Sequence, residues 1–285
     1  MDLMNEEKRT FQVGCDLNYA VIGSGVFLMN VQVSRGQQRT ILEESLTLSP
    51  DFPVESMEIG EAGMRLIRFS AEPGDLQISY RATVEVHAMT VRPEGICEIP
   101  AGDLPSTTLR YLFPSRYCQS DRLLRMAQHL FGSVQPGFER VTAICNWIFQ
   151  NVEYLQGTTN AQTSAIDTVA ERAGVCRDFA HLGIAFCRAL NIPARFATGY
   201  AHQLMPQDFH AYFEAFLGGR WYAFDATRLA PQTGLIRIGS GVDATEASFA
   251  TIFGQSQMTG MRVFAEMANG GGSFPDYVTS GVASL

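Results

Sequence analysis

A Gly218-Gly219 pair separates two eight-residue runs that are rich in aromatic residues, and this pattern constrains the fold more than any other feature of the chain. The runs cover residues 210–217 and 220–227. Two consecutive glycines favour a two-residue β-turn, because glycine tolerates a positive φ. The sequence therefore predicts an antiparallel hairpin in which Leu217 faces Arg220.

The register of this hairpin brings a histidine close to a carboxylate. Counting outward from the turn places His210 opposite Thr227, and side chains on one face of a strand recur at every second residue. Asp225 is then a diagonal neighbour of His210 on the same face, about 7–8 Å away between backbones. This arrangement suits a base held by a carboxylate, and a slip of one residue would destroy it.

Cys176 follows Gly174-Val175 at the predicted start of a helix that ends near Asn191, before Pro193. The first N–H groups of a helix have no partners within it, and the positive end of the helix dipole favours an ionised sulfur. The same N–H groups can hold an oxyanion. We interpret Cys176 as a nucleophile.

The other five cysteines have a plainer interpretation, because a lone cysteine is usually a small buried hydrophobe. We expect burial for Cys145 and Cys187, which lie on apolar helical stripes, and for Cys15, Cys97 and Cys118. No CxxC pair occurs among the six cysteines, which indicates free thiols in a reducing compartment.

The chain divides into a strand-rich part and a helix-rich part. Residues 76–87 alternate strictly between apolar and polar, which predicts a strand with one buried face. Pattern and turn residues predict an amino-terminal β-sandwich over 1–112, a helix-plus-sheet domain over 113–268 and a loose Gly-rich tail over 269–285. A capping box at Ser164 predicts a short helix that Gly174 ends.

Charge and hydropathy exclude several classes of partner. The net charge is −8, with 29 acidic against 21 basic residues and no Lys/Arg run, so neither nucleic acid nor an anionic membrane is expected to bind. Residues 1–11 lack the apolar stretch of a signal peptide, and no apolar run is long enough to cross a bilayer. We expect a cytoplasmic protein.

Several short motifs together resemble the transglutaminase-like superfamily. They are Gly174-Val175-Cys176-Arg177-Asp178-Phe179-Ala180-His181, Asn191-Ile192-Pro193-Ala194-Arg195, Gly199-Tyr200, His210-Ala211-Tyr212-Phe213-Glu214 and Phe224-Asp225-Ala226-Thr227. The resemblance covers about residues 116–254, and the strand-rich part looks like the amino-terminal domain of bacterial members. It implies an α+β fold in which a papain-like transglutaminase core follows an antiparallel β-sandwich.

The resemblance also implies roles for individual residues. Cys176 attacks an amide carbonyl, His210 accepts and returns the proton, and Asp225 fixes the tautomer of the imidazole. Tyr154 is a candidate second oxyanion donor, although an aromatic residue there more often only packs. Two positions depart from the family pattern, Tyr212 where an indole is frequent and Ala226 where proline is frequent, and they bear on substrate fit more than on chemistry.

The substrate cleft is expected between the Cys176 helix and the hairpin, with the loop 200–209 on its rim. Arg177, Tyr200, His202 and Tyr212 are candidate rim residues, and Arg177 has an ion pair on the helix surface as its plainer interpretation. His181 and His202 are alternative bases. A metal site formed by Cys176, His181 and His210 is conceivable, but the spacing of these residues matches no zinc-binding pattern. No metal or organic cofactor is therefore expected.

The expected activity is cysteine-dependent amide hydrolysis or acyl transfer on peptide or protein substrates, through a thioester. True protein cross-linking is an alternative, since it differs only in whether an amine or water takes the acyl group. A catalytically silent scaffold that binds a protein partner and a coenzyme A-dependent acetyltransferase remain open. The sequence leaves the natural substrate and the oligomeric state undetermined.

Overall fold

The computed structural model describes residues 3–60, 63–268 and 281–284. Strands dominate both ends of the chain, and helices occupy its middle. Within these ranges the strands are β1 (Leu3–Val21), β2 (Gly25–Met29), β3 (Arg39–Ser49), β4 (Glu55–Ile59), β5 (Met64–Ala71), β6 (Gly74–Val91), β7 (Glu153–Tyr154), β8 (Ala173–Gly174), β9 (Ala194–Ala201), β10 (His210–Leu217), β11 (Arg220–Phe224), β12 (Leu235–Gly241), β13 (Ala250–Phe253), β14 (Ser256–Met267) and β15 (Gly281–Ser284). The α-helices are α1 (Ser120–Phe131), α2 (Phe138–Asn151), α3 (Ala165–Glu171), α4 (Cys176–Ala189) and α5 (Ala244–Ala247).

A large antiparallel sheet runs through both halves of the molecule. Its strands lie in the order β12-β9-β10-β11-β15-β6-β1-β14, with β3 also paired to β6. The predicted α+β fold is confirmed, but its two parts share this sheet.

The amino-terminal part is a β-sandwich. A second sheet, with the order β13-β2-β5-β4, covers the β1–β6 end of the large sheet. The alternation predicted for residues 76–87 is confirmed, because Leu76, Ile78, Tyr80 and Val84 are buried while the residues between them are not. These side chains meet those of β2 and β5 in one apolar core, which is the main stabilising contribution to such a sandwich.

The helices pack on the other end of the large sheet. α4 lies across β9 and β10, and α1, α2 and α3 surround α4. A second apolar core, which includes Phe179, Phe186, Phe213 and Phe224, fills the space between helices and sheet. All of α4 from Asp178 to Ala189 is buried, so its first turn is held firmly relative to the strands.

Two details of the sequence-based description differ from the structure. The helix predicted to end at Gly174 ends at Glu171, its C-cap residue Arg172 adopts a left-handed φ of 56°, and Ala173–Gly174 form β8 beside β7. Within the predicted loose tail, Gly281–Ser284 form β15, so that prediction was wrong for these four residues. The physical reason is that β15 gains backbone hydrogen bonds on both sides, from β11 and β6; residues 269–280 and 285 lie outside the described residues.

Pairing of the carboxy-terminal strands does not follow the predicted boundary at residue 112. β13 pairs with β2 and β14 pairs with β1, so both belong to the amino-terminal sandwich. The boundary itself stays a prediction. Within the described ranges, no helix reaches the combined length and apolarity that a bilayer crossing requires.

Candidate active site

Cys176 is the first residue of α4, as the sequence predicts. The Asp178 carboxylate accepts a hydrogen bond from the Val175 N–H at 2.9 Å, which is half of a capping box and sets where the helix begins. The Cys176 side chain is half-buried. Its sulfur therefore lies where unpaired helix N–H groups and the helix dipole act on it.

The position of α4 over the sheet depends on a close contact at Gly183. A Cβ atom there would come within 2.4 Å of the Phe213 ring. Only glycine allows this approach without a shift of the ring or the helix. The contact thereby helps to hold Cys176 at the level of the first residue of β10.

The predicted hairpin register is confirmed. Leu217 pairs with Arg220, Phe216 with Trp221 and Phe213 with Phe224, where the ladder ends. His210 instead pairs with Gly199 of β9, and Asp225 follows directly after β11.

His210 and Asp225 form a hydrogen-bonded pair sealed from solvent. His210 Nε2 donates to Asp225 Oδ2 at 2.7 Å, and both residues are about 1 % exposed. His210 Nδ1 has no hydrogen-bond partner among the described residues. A histidine that donates from one nitrogen to a carboxylate presents the lone pair of its other nitrogen as a base.

Thr227 anchors the carboxylate. Its backbone N–H donates to Asp225 Oδ1 at 2.9 Å, and its hydroxyl donates to the same oxygen at 2.7 Å. One carboxylate oxygen thus accepts both hydrogen bonds from Thr227, and the other accepts the hydrogen bond from His210. In the sequence Thr227 belongs to a motif, but its role in holding Asp225 was not predicted. The Asp-x-Thr spacing, which is typical of Asx turns, could have indicated this role.

The environment of His210 favours its charged form. Burial lowers the pKa of His210, but the Asp225 charge, the Nε2 hydrogen bond and the interactions with Cys176 together raise the pKa from 6.5 to about 10. A buried imidazolium is tolerated here because the Asp225 carboxylate is hydrogen-bonded to it. The arrangement can therefore hold a proton on His210.

Cys176 and His210 line a cavity of about 980 Å³. Its other walls come from the segment 154–161, from β9, from the loop 204–209, and from residues 248–250 and Met261 of the carboxy-terminal strands. Both parts of the molecule thus contribute to the cavity. A cavity of this size lies within the range of ligand-binding sites in proteins.

Tyr154 lies beside Cys176 in the wall of this cavity. Burial, followed by the charge of the neighbouring Cys176, raises the pKa of Tyr154. Its ring contacts Phe179 with centroids 5.8 Å apart.

Arg177 lines the cavity, but its guanidinium group is already engaged. It donates to the Asn160 carbonyl at 2.6 Å and to Asp178 Oδ1 at 3.2 Å, and Asp178 is fully buried. Arg177 therefore forms an ion pair, as its plainer interpretation predicted, and it also lines the cavity where the rim was predicted.

The rim prediction is wrong for Tyr200, Tyr212 and His202. Tyr200 is fully buried in the sandwich core, where its hydroxyl donates to the Val31 carbonyl at 2.6 Å. Tyr212 is 3 % exposed and packs in a small apolar cluster that includes Ala197, while His202 Nδ1 contacts the Ala265 carbonyl at 3.0 Å. The strands of Tyr200 and Tyr212 are covered on both faces, and the half-buried His202, just after β9, is not among the residues that line the cavity.

His181 takes no part in the site. It is stacked between Tyr117 and Phe196, at 4.8 Å from each ring, and its Nε2 accepts the Ala244 N–H at 3.2 Å. Burial lowers the pKa of His181 to about 3, so it is neutral at physiological pH. No group of three or more metal-ligating side chains occurs in the part of the chain that the structure describes.

The burial expected for the other cysteines holds for four of them. Cys15, Cys118, Cys145 and Cys187 are buried, whereas Cys97 is exposed, contrary to prediction. Cys97 lies in the segment between β6 and α1, where the neighbouring Ile96 is buried and the Cys97 side chain is exposed.

The sequence matches two descriptions of protein families. Residues 125–226 match the transglutaminase-like superfamily, and residues 9–106 match the bacterial transglutaminase amino-terminal domain. Both matches agree with the resemblance found in the sequence motifs.

A crystal structure of a candidate cysteine protease from Cytophaga hutchinsonii is similar over nearly the whole chain. The two are 43 % identical, the match covers 97 % of this chain and 98 % of that chain, and the TM-score is 0.93. An uncharacterized protein of Mycobacterium leprae is 32 % identical over 117 residues, which are 38 % of this chain and 42 % of the relative. An uncharacterized protein of Mycobacterium tuberculosis is 31 % identical over 81 residues, which are 28 % of this chain and 26 % of the relative.

The match thus spans less than half the length of each mycobacterial relative. The similarity to the Cytophaga protein, by contrast, includes both the sandwich and the helix-plus-sheet part. From the two family matches and this full-length similarity, the chain belongs to the transglutaminase-like superfamily, with the amino-terminal β domain of its bacterial members.

Proposed function

We propose that this protein is a cysteine-dependent enzyme that hydrolyses amides of peptide or protein substrates, or transfers their acyl groups, with Cys176, His210 and Asp225 as a catalytic triad. One observation carries the proposal. The His210 ring donates from Nε2 to Asp225, its Nδ1 has no hydrogen-bond partner among the described residues, and His210 and Cys176 line the same cavity. The similarity to a candidate cysteine protease supports the same class of chemistry.

The reaction begins with attack of the Cys176 thiolate on the amide carbonyl, which forms a C–S bond and places a negative charge on the carbonyl oxygen. His210 gives its Nδ1 proton to the amide nitrogen as the C–N bond breaks, and a thioester remains. Water or an amine then attacks the thioester and gives its proton to His210. The C–S bond breaks, and the thiolate–imidazolium pair is restored.

Asp225 has a positioning role in this sequence. Because Thr227 holds one carboxylate oxygen and His210 Nε2–H bonds to the other, the imidazole keeps its proton-accepting nitrogen towards Cys176 throughout. The carboxylate also stabilises the imidazolium that forms.

We propose two donors for the oxyanion, the backbone N–H of Cys176 and the hydroxyl of Tyr154. The position of this hydroxyl beside the backbone and side chain of Cys176 supports the assignment. A donor aimed at the developing oxyanion contributes about 10²-fold or more to turnover in related acyl-transfer sites. The thiolate, the imidazole and these donors suffice, so the proposed chemistry uses no metal or organic cofactor.

A thiol-directed label tests the nucleophile. We expect iodoacetamide to modify Cys176 near neutral pH at least ten times faster than Cys97, the other accessible cysteine, because an ordinary thiol is only about 3 % ionised at pH 7. The modified peptide is identified by mass spectrometry, with Cys176→Ala as control. Equal labelling of Cys97 and Cys176 would favour a silent scaffold.

Two product assays separate hydrolysis from transfer. Incubation with glutamine-containing peptides releases ammonia in either case, whereas incorporation of a labelled amine occurs only in transfer. We expect Cys176→Ala to abolish whichever product forms. Peptide cleavage without ammonia release would assign a peptidase.

A further inference from the structure

Asp208 is a carboxylate in the cavity wall that the proposed chemistry does not use. It lies two residues before His210, in the loop that closes one side of the cavity. Its Oδ1 accepts a hydrogen bond from the Phe209 N–H at 2.7 Å, which occupies one of its two oxygens. Asp208 is not conspicuous in the sequence, since an acidic residue in a loop usually faces solvent.

The cavity contains no other negative side chain among the described residues that line it, apart from Cys176 when ionised. Its cations are His210, which is bonded to Asp225, and Arg177, which is engaged with Asp178 and the Asn160 carbonyl. Within the described part of the chain no ion pair involves Asp208, and the charge of nearby His210 is matched by Asp225. Asp208 thus has no cation of its own.

Partial burial makes this unmatched charge costly. Desolvation raises the pKa of Asp208 above 3.8, against the opposing effects of the Phe209 N–H and the charge of His210. A carboxylate in such a place gains free energy when a cation enters and replaces the water it has lost.

Resting on the function proposed above, we infer that Asp208 recognises a cationic group, an alkylammonium or a guanidinium, that enters the cavity beside the reacting carbonyl. Asp208 lines the same cavity as Cys176 and His210, so the recognised group lies close to the reacting atoms. The cation has two sources with the same chemistry: a basic residue next to the scissile amide, or the amine that accepts the acyl group.

The apolar surroundings favour a long aliphatic chain that ends in the charge. Leu204, Met205 and Phe209 belong to the same loop, and Phe209 stacks on Phe249 with centroids 4.7 Å apart. Such a wall suits the methylene chain of a lysine or of a diamine, with its ammonium at Asp208.

Charged thiosulfonates test the inference without knowledge of the natural substrate. Three methanethiosulfonates, carrying a trimethylammonium-ethyl, a methyl or a sulfonatoethyl group, transfer their thioalkyl group to Cys176; a disulfide forms and methanesulfinate leaves. The protein carries Cys97→Ser, so that the exposed thiol does not compete. The rate at Cys176 is followed by mass spectrometry.

We expect the cationic reagent to react about tenfold faster at Cys176 than the anionic one, after division by their rates with a free thiol in solution. Asp208→Asn should remove this preference, and Asp103→Asn should keep it, because Asp103 is an exposed carboxylate that does not line the cavity. The same preference in both variants overturns the inference. Failure of all three reagents to react faster with Cys176 than with a free thiol would instead contradict the proposed nucleophile.

Substrates then separate the two sources of the cation. One arm compares peptide amides that carry lysine or Nε-acetyl-lysine beside the reacting amide, and the other compares 1,5-diaminopentane with pentylamine as acceptors. We expect kcat/KM to favour the cationic member about tenfold in at least one arm, and Asp208→Asn to remove that preference. The inference is overturned if the enzyme turns over substrates without a charge preference in either arm. It is also overturned if Asp208→Asn lowers kcat/KM equally for all substrates.

Discussion

Replacing Asp225 by asparagine changes a single atom type, and the structure specifies the consequence. Two donors from Thr227 converge on Oδ1, one of them a backbone N–H that cannot reverse its direction. The amide oxygen of the new side chain must therefore occupy the Oδ1 position, and its NH₂ group must face His210 Nε2. That nitrogen then accepts a hydrogen bond instead of donating one, so the ring proton moves to Nδ1.

The wrong tautomer removes the base. With a proton fixed on Nδ1 and no carboxylate to stabilise an imidazolium, His210 cannot take a proton from Cys176. In Ser-His-Asp hydrolases the same exchange lowers kcat by about 10⁴. We expect Asp225→Asn to lower kcat by about 10³- to 10⁴-fold here, which is about 4–5.5 kcal/mol of transition-state stabilisation.

Alkylation by iodoacetamide isolates the effect on the nucleophile. In the wild type we expect a rate at Cys176 that changes little between pH 6 and 9. In Asp225→Asn the rate at pH 7 should fall by about thirtyfold and rise with pH, as for an ordinary thiol that is about 3 % ionised at pH 7. Asp121→Asn, at an exposed position of α1, is the matched control.

The reasoning is refuted if Asp225→Asn keeps its alkylation rate at pH 7 within threefold of wild type. A fall in the rate supports the reasoning only when the variant is folded, which urea denaturation checks, because a misfolded protein would also lose reactivity. Some loss of stability is expected: both hydrogen bonds from Thr227 remain possible, but the carboxylate charge that stabilises a protonated His210 is gone.

Four further expectations come from other contacts of the site and its support. Thr227→Val, which removes one hydrogen bond to the buried carboxylate, should lower kcat/KM about tenfold and the unfolding free energy by about 1.5–3 kcal/mol, measured by kinetics and urea denaturation. Tyr154→Phe should lower kcat about 10- to 100-fold with little change in KM or in alkylation of the nucleophile; an unchanged kcat would exclude the hydroxyl as an oxyanion donor. Glu214→Gln should destabilise the fold by about 3–5 kcal/mol in denaturant titrations, because Glu214 is fully buried and accepts hydrogen bonds from two buried arginines. The folded-state pKa of His210 is raised to about 10, so the contribution of His210 to stability is complete below pH 6.5 and is lost as the pH rises through about 10. Between these pH values the unfolding free energy should therefore fall more steeply in wild type than in His210→Gln.

The structural predictions around the candidate site are confirmed where they depended on local rules. The hairpin register follows from a two-glycine turn, and the position of Cys176 follows from the end of one helical pattern and the start of the next. Both rules act over fewer than about ten residues and need no knowledge of the rest of the fold. The capping box at Ser164 succeeded for the same reason.

Prediction failed where a side chain had to be assigned to one of two buried faces. Tyr200 and Tyr212 belong to strands in which every residue is buried, so alternation could not distinguish the cavity side from the core side. The sequence also did not predict that Asp208 lines the cavity, because its position there depends on how its loop folds against residues 248–250.

Pairing between distant strands was equally inaccessible. The four residues of β15 carry no strong β pattern, and they form a strand because β11 and β6 leave a place between them. Strand propensity is largely a matter of such context. β13 and β14 likewise return to the amino-terminal sandwich, more than 200 residues from the start of the chain.

The sequence by itself determined the division into a strand-rich and a helix-rich part, the register of the hairpin and the residue types that could perform acyl transfer, because these depend on backbone periodicity and turn chemistry within short segments. The tertiary structure alone decided that Tyr154 and Asp208 border the cavity and that one sheet joins both parts of the molecule. These facts depend on contacts between segments far apart in the chain, and such contacts arise only when the apolar faces are buried together.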